Sequence, residues 1–421
     1  MRVSDVWAGL RTHKAETAMA LFALGIALST AHTKIAGAMW LSVCLAGVVA
    51  FFRLPRATGS ELLGAASRAW GVACAASAAL ATAVWLYWPI RPDTLHAEFR
   101  LLLCAVATHQ LVVRAPRPQV WRAFTLPATA LACVIGLVTV IATPDRGLMP
   151  SNAIPWAVSV AFLLCVLLPP VLGGDISAAQ RKWYFLAIAA GLAAIFISQS
   201  RGAFGILLWA TWLAAAKWKK SHANFNLRKA AAVSLVGFSL LSSSALLPSD
   251  PLRLRAGWNE VVMAKHDGNY DSSMGARVYL WTLAWQSIQE SPWIGIGGSE
   301  RLKRIKIAGA ELPVAERERF KAVRSVGHVH NQYLHSAMDG GLVGLASILA
   351  VLAGLGAAAY FLQRTDPVAS RQVQGVLFIH ATASLTNVNL AHNYYAIMLS
   401  LSVALILLGA GARSGSLTQR L

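Results

Sequence analysis

Apolar runs of membrane-spanning length recur from one end of this chain to the other, and no other feature limits its fold as strongly. About 20 residues of helix cross the hydrocarbon of a bilayer. Backbone groups there must be satisfied within the segment, so such runs fold as helices. Twelve candidate spans fall near 17–33, 35–52, 69–89, 98–113, 124–143, 154–172, 183–199, 203–217, 230–248, 334–362, 373–388 and 394–412. The short alternating segments of a membrane β-barrel are missing. Of the 421 residues, 56% are hydrophobic and 13% charged, against about a quarter charged in a soluble domain. The expected fold is an all-α, polytopic membrane bundle. Its parts are spans 1–9 in residues 1–248, a loop domain over 249–333, and spans 10–12 with a tail in 334–421. The first run is read as an anchor, because a second follows at once and no small-residue cleavage site precedes it.

Orientation follows from the basic residues. With the N-terminus inside, the inner loops and tails collect Arg2, Arg11, Lys14, Arg53, Arg56, Arg114, Arg117, Lys219, Lys220, Arg364 and Arg371. The short outer loops hold few, and the long loop is excluded because long loops translocate regardless of charge. Both termini are expected in the cytoplasm. The net charge of +19 then reads as inner-surface bias, not as a nucleic-acid footprint. The five cysteines, Cys44, Cys74, Cys104, Cys133 and Cys165, fall one per span without metal spacing. They read as small apolar residues.

The outer loop 249–333 is the one stretch with enough polar chain to build a site. After the polar residues HDGNYDSSMG, Ala276 to Glu290 reads as an amphipathic helix. Val278, Trp281, Leu283, Trp285 and Ile288 on its apolar side suit a membrane surface. WIGIGGSE follows. Its glycines lack the strand, helix and distant acid of a dinucleotide site, so they read as a tight turn of close backbone approach. GHVHNQYLHSAMDGG, residues Gly327 to Gly341, then leads back into the membrane.

Three kinds of side chain stand out. Arg201, in the outer segment ISQSRGAFG, is a charge between two apolar spans. Such a charge is expensive unless it is paired or faces water; the plainer reading is a snorkelling interface residue. Arg277 stands at the start of the amphipathic helix, where a cation opposes the helix dipole. Together with the helix N-terminus it suits an anion, phosphate above all; the plainer reading is a surface Arg. His328, His330 and His335 gather beside Asn331 and Tyr333. Spacings of two and five match no standard zinc signature, and no DxD pair occurs, so no metal and no cofactor is expected. If a helix begins at Asn331, His330 lies near its N-cap, where the dipole favours the neutral imidazole that a general base needs. The plainer reading is a set of hydrogen-bonded structural histidines.

SRGAFG, RVYLW, PWIGIG, HNQYLH and GGLVG occur in that order on a polytopic scaffold with one large external loop. This resembles the O-antigen ligase and polymerase superfamily of bacterial envelopes. The resemblance implies a GT-C-like membrane fold with about 12 transmembrane helices and a small helical periplasmic domain. It also implies a multi-pass place in the inner membrane with the site facing the periplasm. The activity implied is transfer of a glycan from undecaprenyl diphosphate to a sugar hydroxyl of lipid A-core, by an inverting, metal-independent displacement. His330 would be the base, and Arg201 and Arg277 the diphosphate clamps. Asn331, Tyr333, His328, His335 and Trp281 would support them, with Trp281 and Trp285 on lipid or sugar. Membrane lipids are the other implied partners. The basic residues Arg301, Lys303, Arg304 and Lys306 suggest an acceptor rich in phosphate, and so a ligase. An O-antigen polymerase or a protein O-oligosaccharyltransferase shares the scaffold. A lipid-linked sugar transporter is the alternative of a different class, but no internal repeat supports it.

Overall fold

A computed structural model describes residues 3–57, 61–89, 95–115, 117–143, 145, 148–173, 176–221 and 254–411. The described residues contain helices and no strand. Helices α1 to α8 span Val3–Leu28, Thr33–Arg53, Glu61–Tyr87, His96–Arg114, Pro118–Ala142, Ala153–Gly173, Ala178–Ile197 and Gly205–Ser221. The loop segment carries α9 (Leu254–His266), α10 (Ser273–Glu290) and α11 (Gly297–Lys306), then short helical turns. Three helices close the fold: α12 (Gln332–Thr365), α13 (Pro367–Ser384) and α14 (Asn393–Gly409).

Local chemistry sets the boundaries. Ser177 Oγ accepts from Gln180 N at the start of α7. Asp366 does the same for Val368 N and Ala369 N before α13, whose first residue is Pro367, the position a helix tolerates proline best. The apolar runs become helices at every expected span except 230–248, which lies outside the described residues. Among the described residues, five helices are long and apolar enough to cross a membrane: α2, α3, α5, α6 and α12. Shorter apolar helices cover Glu16–Leu28, Arg201–Ala216 and Asn393–Gly409.

Helix α6 is apolar on all sides and almost wholly buried, as is α14, and together they form the centre of the bundle. Around them α12 packs on α3 and α13, α4 on α2 and α3, and α5 on α7. The outward positions are also apolar: Leu45, Phe52, Val138 and Leu186 are all exposed. Exposed apolar surface on this scale fits a bilayer and not water. The chain is a multi-pass membrane protein.

The loop segment has its own core, in which Ala276, Leu280, Ala284, Ile305, Phe320, Val323 and Val329 pack with Met338. That core reaches into the first turns of α12. Glycines bind the two parts. Gly295 and Gly341 have φ of +65° and +59°, a region glycine enters at no steric cost. At Gly341 the segment PWIG lies against the kink of α12. There Leu342 N donates to Pro292 O at 2.8 Å and Ile296 N to Met338 O at 2.9 Å. The PWIGIG and GGLVG motifs are therefore two sides of one backbone contact.

Helix α10 departs from its sequence reading. It starts at Ser273, because Ser272 Oγ accepts from Gly275 N. Its buried face is Ala276, Leu280, Ala284 and Ser287, not the bulky Val278, Trp281 and Leu283. Small residues let α10 approach α12 closely. Trp281 does not face lipid: its indole Nε1 donates to Val329 O at 2.9 Å. Trp285 remains exposed.

Candidate active site

Asn331 caps α12 by accepting from Tyr333 N and Leu334 N at 3.0 and 3.1 Å. This fixes where the chain turns from the loop into the helix. One residue earlier, His330 has φ +53°, and Gln199, two residues before Arg201, has φ +54°. Among the described residues these are the two non-glycine positions with positive φ. Such backbone costs about 1–2 kcal/mol per residue, and strain of this kind concentrates at functional sites. Val329 is fully buried and held by Trp281, so the rings on either side of it are fixed in place.

His328 and His330 meet edge to face with ring centroids 4.3 Å apart. His330 Nδ1 lies 3.3 Å from Asn387 Oδ1. The amide nitrogen of Asn387 is engaged by Asn389 Oδ1 at 3.1 Å, so the amide oxygen is the end turned toward His330. An amide oxygen only accepts. It therefore selects the Nδ1–H tautomer and leaves the Nε2 lone pair available. Burial, then the nearby charges of His328 and Arg277, push the His330 pKa down to about 3. Burial, and not the helix dipole, is thus the main cause that favours the neutral ring.

Arg277 is mostly buried, and its Nε has no hydrogen-bond partner. Burial, then the charge of Arg201, lower its pKa, while Glu260 opposes the shift. Glu260 Oε2 accepts from Met274 N at 2.8 Å in the first turn of α10, which places this acid at the helix end where Arg277 stands. Arg201 begins a short 3-10 turn between α7 and α8. Its guanidinium lies against Gly257 of α9, where an added Cβ would stand 3.0 Å from an Arg201 terminal nitrogen. Two guanidinium groups thus repel one another in a half-buried place, an arrangement that favours an anion between them.

The other expected residues divide. Tyr333 hydroxyl donates to Ala381 O at 3.0 Å and ties α12 to α13. His335 Nε2 is 3.7 Å from Asp339 Oδ2, so it turns along the helix toward a different group. The loop basic residues divide between buried and exposed. Arg301 is buried, donates to Asp339 Oδ1 at 2.7 Å, and also bonds Gly327 O. Arg304 pairs with Glu290 and Glu300, Lys303 with Glu300, and Lys306 bonds Arg324 O. Arg301 and Arg304 thus drop out of the expected phosphate-greeting surface, because acids already take them up, while Lys303 and Lys306 stay exposed.

Sequence reasoning missed His392, Asn387, Glu260 and Gly257. His392 packs its ring 6.5 Å from that of His328, and burial followed by the His328 charge lowers its pKa. For His392 the signal was available in TNVNLAHN, a polar run between the last two apolar helices.

Fold and site together define a multi-pass helical membrane protein with a small helical cap, and with paired arginines and clustered histidines where the two meet. Residues 186–349 match the family described as O-antigen ligase. Members of that family are glycosyltransferase-type enzymes. The matched stretch contains Arg201, Arg277 and His330; Asn387 and His392 lie beyond it. An uncharacterized protein of Haemophilus influenzae (strain ATCC 51907 / DSM 11121 / KW20 / Rd) is 25% identical over 126 residues. This covers 28% of the present chain and 30% of that protein.

Proposed function

We propose that the protein transfers a glycan from undecaprenyl diphosphate to a sugar hydroxyl of lipid A-core, at the periplasmic face of the inner membrane. The observation that carries this reading is the meeting of Arg201 and Arg277 beside a neutral His330 whose Nδ1 is held by Asn387. The acceptor oxygen attacks the anomeric carbon and forms the new C–O bond, while its proton passes to His330 Nε2. The bond from that carbon to the diphosphate breaks, and its electron pair goes to the departing oxygen. The two guanidinium groups meet the charge that grows there. A single displacement inverts the anomeric configuration. Paired arginines supply the positive charge such a leaving group needs, so the reaction proceeds without metal. With Arg301 and Arg304 engaged internally, what favours a ligase over a polymerase is the large loop late in the chain, followed by three helices.

The test is glycan transfer by the purified full chain, given the lipid-linked donor and lipid A-core in EDTA. Native protein transfers; a folded His330→Ala protein does not. Full transfer by the variant would remove the base. Loss of native transfer in EDTA would restore a metal. Growth of chains on the lipid carrier, with lipid A-core untouched, would make the protein a polymerase.

A further inference from the structure

A cavity of about 400 Å³ opens between the ends of α3 and α4, the start of α12 and the segment before α14. Its size is that of a small-molecule site, for which ~300–1,000 Å³ is usual. Trp85 and Trp88 form an aromatic wall, and Gln332, Ser336 and Asn393 contribute neutral polar groups. Three buried atoms of lining residues have no hydrogen-bond partner: Glu98 Oε2, His328 Nδ1 and His335 Nδ1. Buried polar atoms are normally paired, so these call for a ligand or water that can both donate and accept. Among the described lining residues the one guanidinium, that of Arg301, is committed to Asp339 and Gly327. Glu98 and Asp339 are the carboxyl groups of the described lining, Asp339 being the partner of Arg301, so the wall offers an anion no uncommitted guanidinium. Neither Arg201 nor Arg277 lines it.

We propose that this cavity is the acceptor subsite and takes a neutral sugar ring. A sugar offers apolar ring faces to indoles and hydroxyls that donate and accept. His328 belongs both to the cavity wall and to the edge-to-face contact with His330. A hydroxyl bound at His328 therefore stands beside the proposed base. Donor diphosphate and acceptor sugar enter from separate chemical environments and meet at the His328–His330 pair. The inference rests on the transferase reading and adds to it the residues that choose the acceptor.

The experiment titrates deacylated lipid A-core oligosaccharide into the purified full chain, without donor, and follows binding calorimetrically. Ala81→Phe fills the cavity from its apolar side, and Trp85→Ala removes an indole. Each should weaken binding about tenfold or more, or ~1.4 kcal/mol, while Arg277→Ala binds as the native chain does. In transfer assays the same two variants should raise the acceptor KM by a like factor and leave the donor KM unchanged, which also shows them folded. Unweakened binding by both cavity variants, loss of binding in Arg277→Ala, or no binding by native protein (a cavity that holds water only) would each overturn the subsite. Binding that depends on the cavity, in a protein that transfers nothing, would refute the transferase reading and leave the subsite standing. Transfer unaffected in the cavity variants would refute the subsite alone.

Discussion

Asn387 holds His330 from across the fold, its Oδ1 3.3 Å from the imidazole Nδ1, although one stands in the loop after α13 and the other in the loop before α12. The contact fixes the tautomer, and it makes a prediction that a merely structural His330 would not. Replacing Asn387 with Leu frees the ring to turn and to exchange its proton. Activity should fall about 10- to 100-fold, the scale on which groups that orient a functional imidazole matter. Asn387→Asp places a carboxylate at Nδ1 and favours the imidazolium, so the acid limb of the rate should move to higher pH. Steady-state rates across pH for both variants check this. An unmoved limb in Asn387→Asp would mean that His330 carries no proton in the reaction.

Arg201 and Arg277 should behave as one unit. Charged hydrogen bonds contribute ~1.5–3 kcal/mol each, so either change to Ala should lower kcat/KM for the donor by about 10- to 200-fold. The double variant should lose less than the product of the two, because the groups share one anion. Lysine at either place should rescue partly, since it keeps the charge and loses the fork. Inhibition by undecaprenyl diphosphate, measured in the same four proteins, should weaken in parallel. Unchanged inhibition would place the diphosphate elsewhere.

Much of this site was legible in the sequence because its parts break local rules. Arg201 is a charge between apolar spans, Arg277 a cation at the wrong helix end, and three histidines crowd nine residues. Asn387 and Gly257 were not legible, because each is ordinary in its own segment and gains meaning only from what the fold sets against it. The loop cations show the opposite error. Glu300 lies three and four residues from Lys303 and Arg304, a spacing that forecasts pairing on a helix. The Arg301–Asp339 pair spans 38 residues and no local pattern forecasts it. The buried face of α10 was misread because large aromatic residues dominate an apolar pattern, whereas alanines make the close contact.

The Arg301–Asp339 pair should matter to the fold and not to the acceptor's phosphates. Breaking a buried pair from one side costs about 3–5 kcal/mol. Arg301→Met should therefore lower the melting temperature of the purified protein strongly. Lys303→Ala, at an exposed position, should change stability by no more than ~0.5 kcal/mol and leave the acceptor KM alone. A raised KM confined to Lys303→Ala would return the loop cations to a binding role.

Gly341 tests the backbone contact between cap and bundle. An added Cβ would overlap the Trp293 carbonyl and the Ile294 nitrogen, and the residue already has φ +59°. Left-handed backbone alone costs a non-glycine residue ~1–2 kcal/mol, and backbone overlap adds to it. Gly341→Ala should destabilise by about 3 kcal/mol or more, with the amides of Leu342 and Ile296 losing their exchange protection. Gly71, which faces open space, is the control: Gly71→Ala should be neutral or mildly stabilising. Equal melting temperatures for the two variants would mean that the motif contact does not hold the cap.

Donor binding should change the basicity of His330. In the unliganded site, burial and then the charges of His328 and Arg277 hold its pKa down to about 3. A diphosphate beside Arg277 offsets that part of the shift due to positive charge, and the pKa moves up toward its ordinary value near 6.5. A base works deprotonated, so activity is lost as pH falls through its pKa. The profile of kcat/KM reports free enzyme and that of kcat the donor complex. The acid limb of kcat should therefore lie at higher pH than that of kcat/KM, with the gap shrinking in Arg277→Ala. The donor thus helps to prepare the base that activates its attacking hydroxyl, and coincident limbs would show that the arginine pair and His330 act without reference to each other.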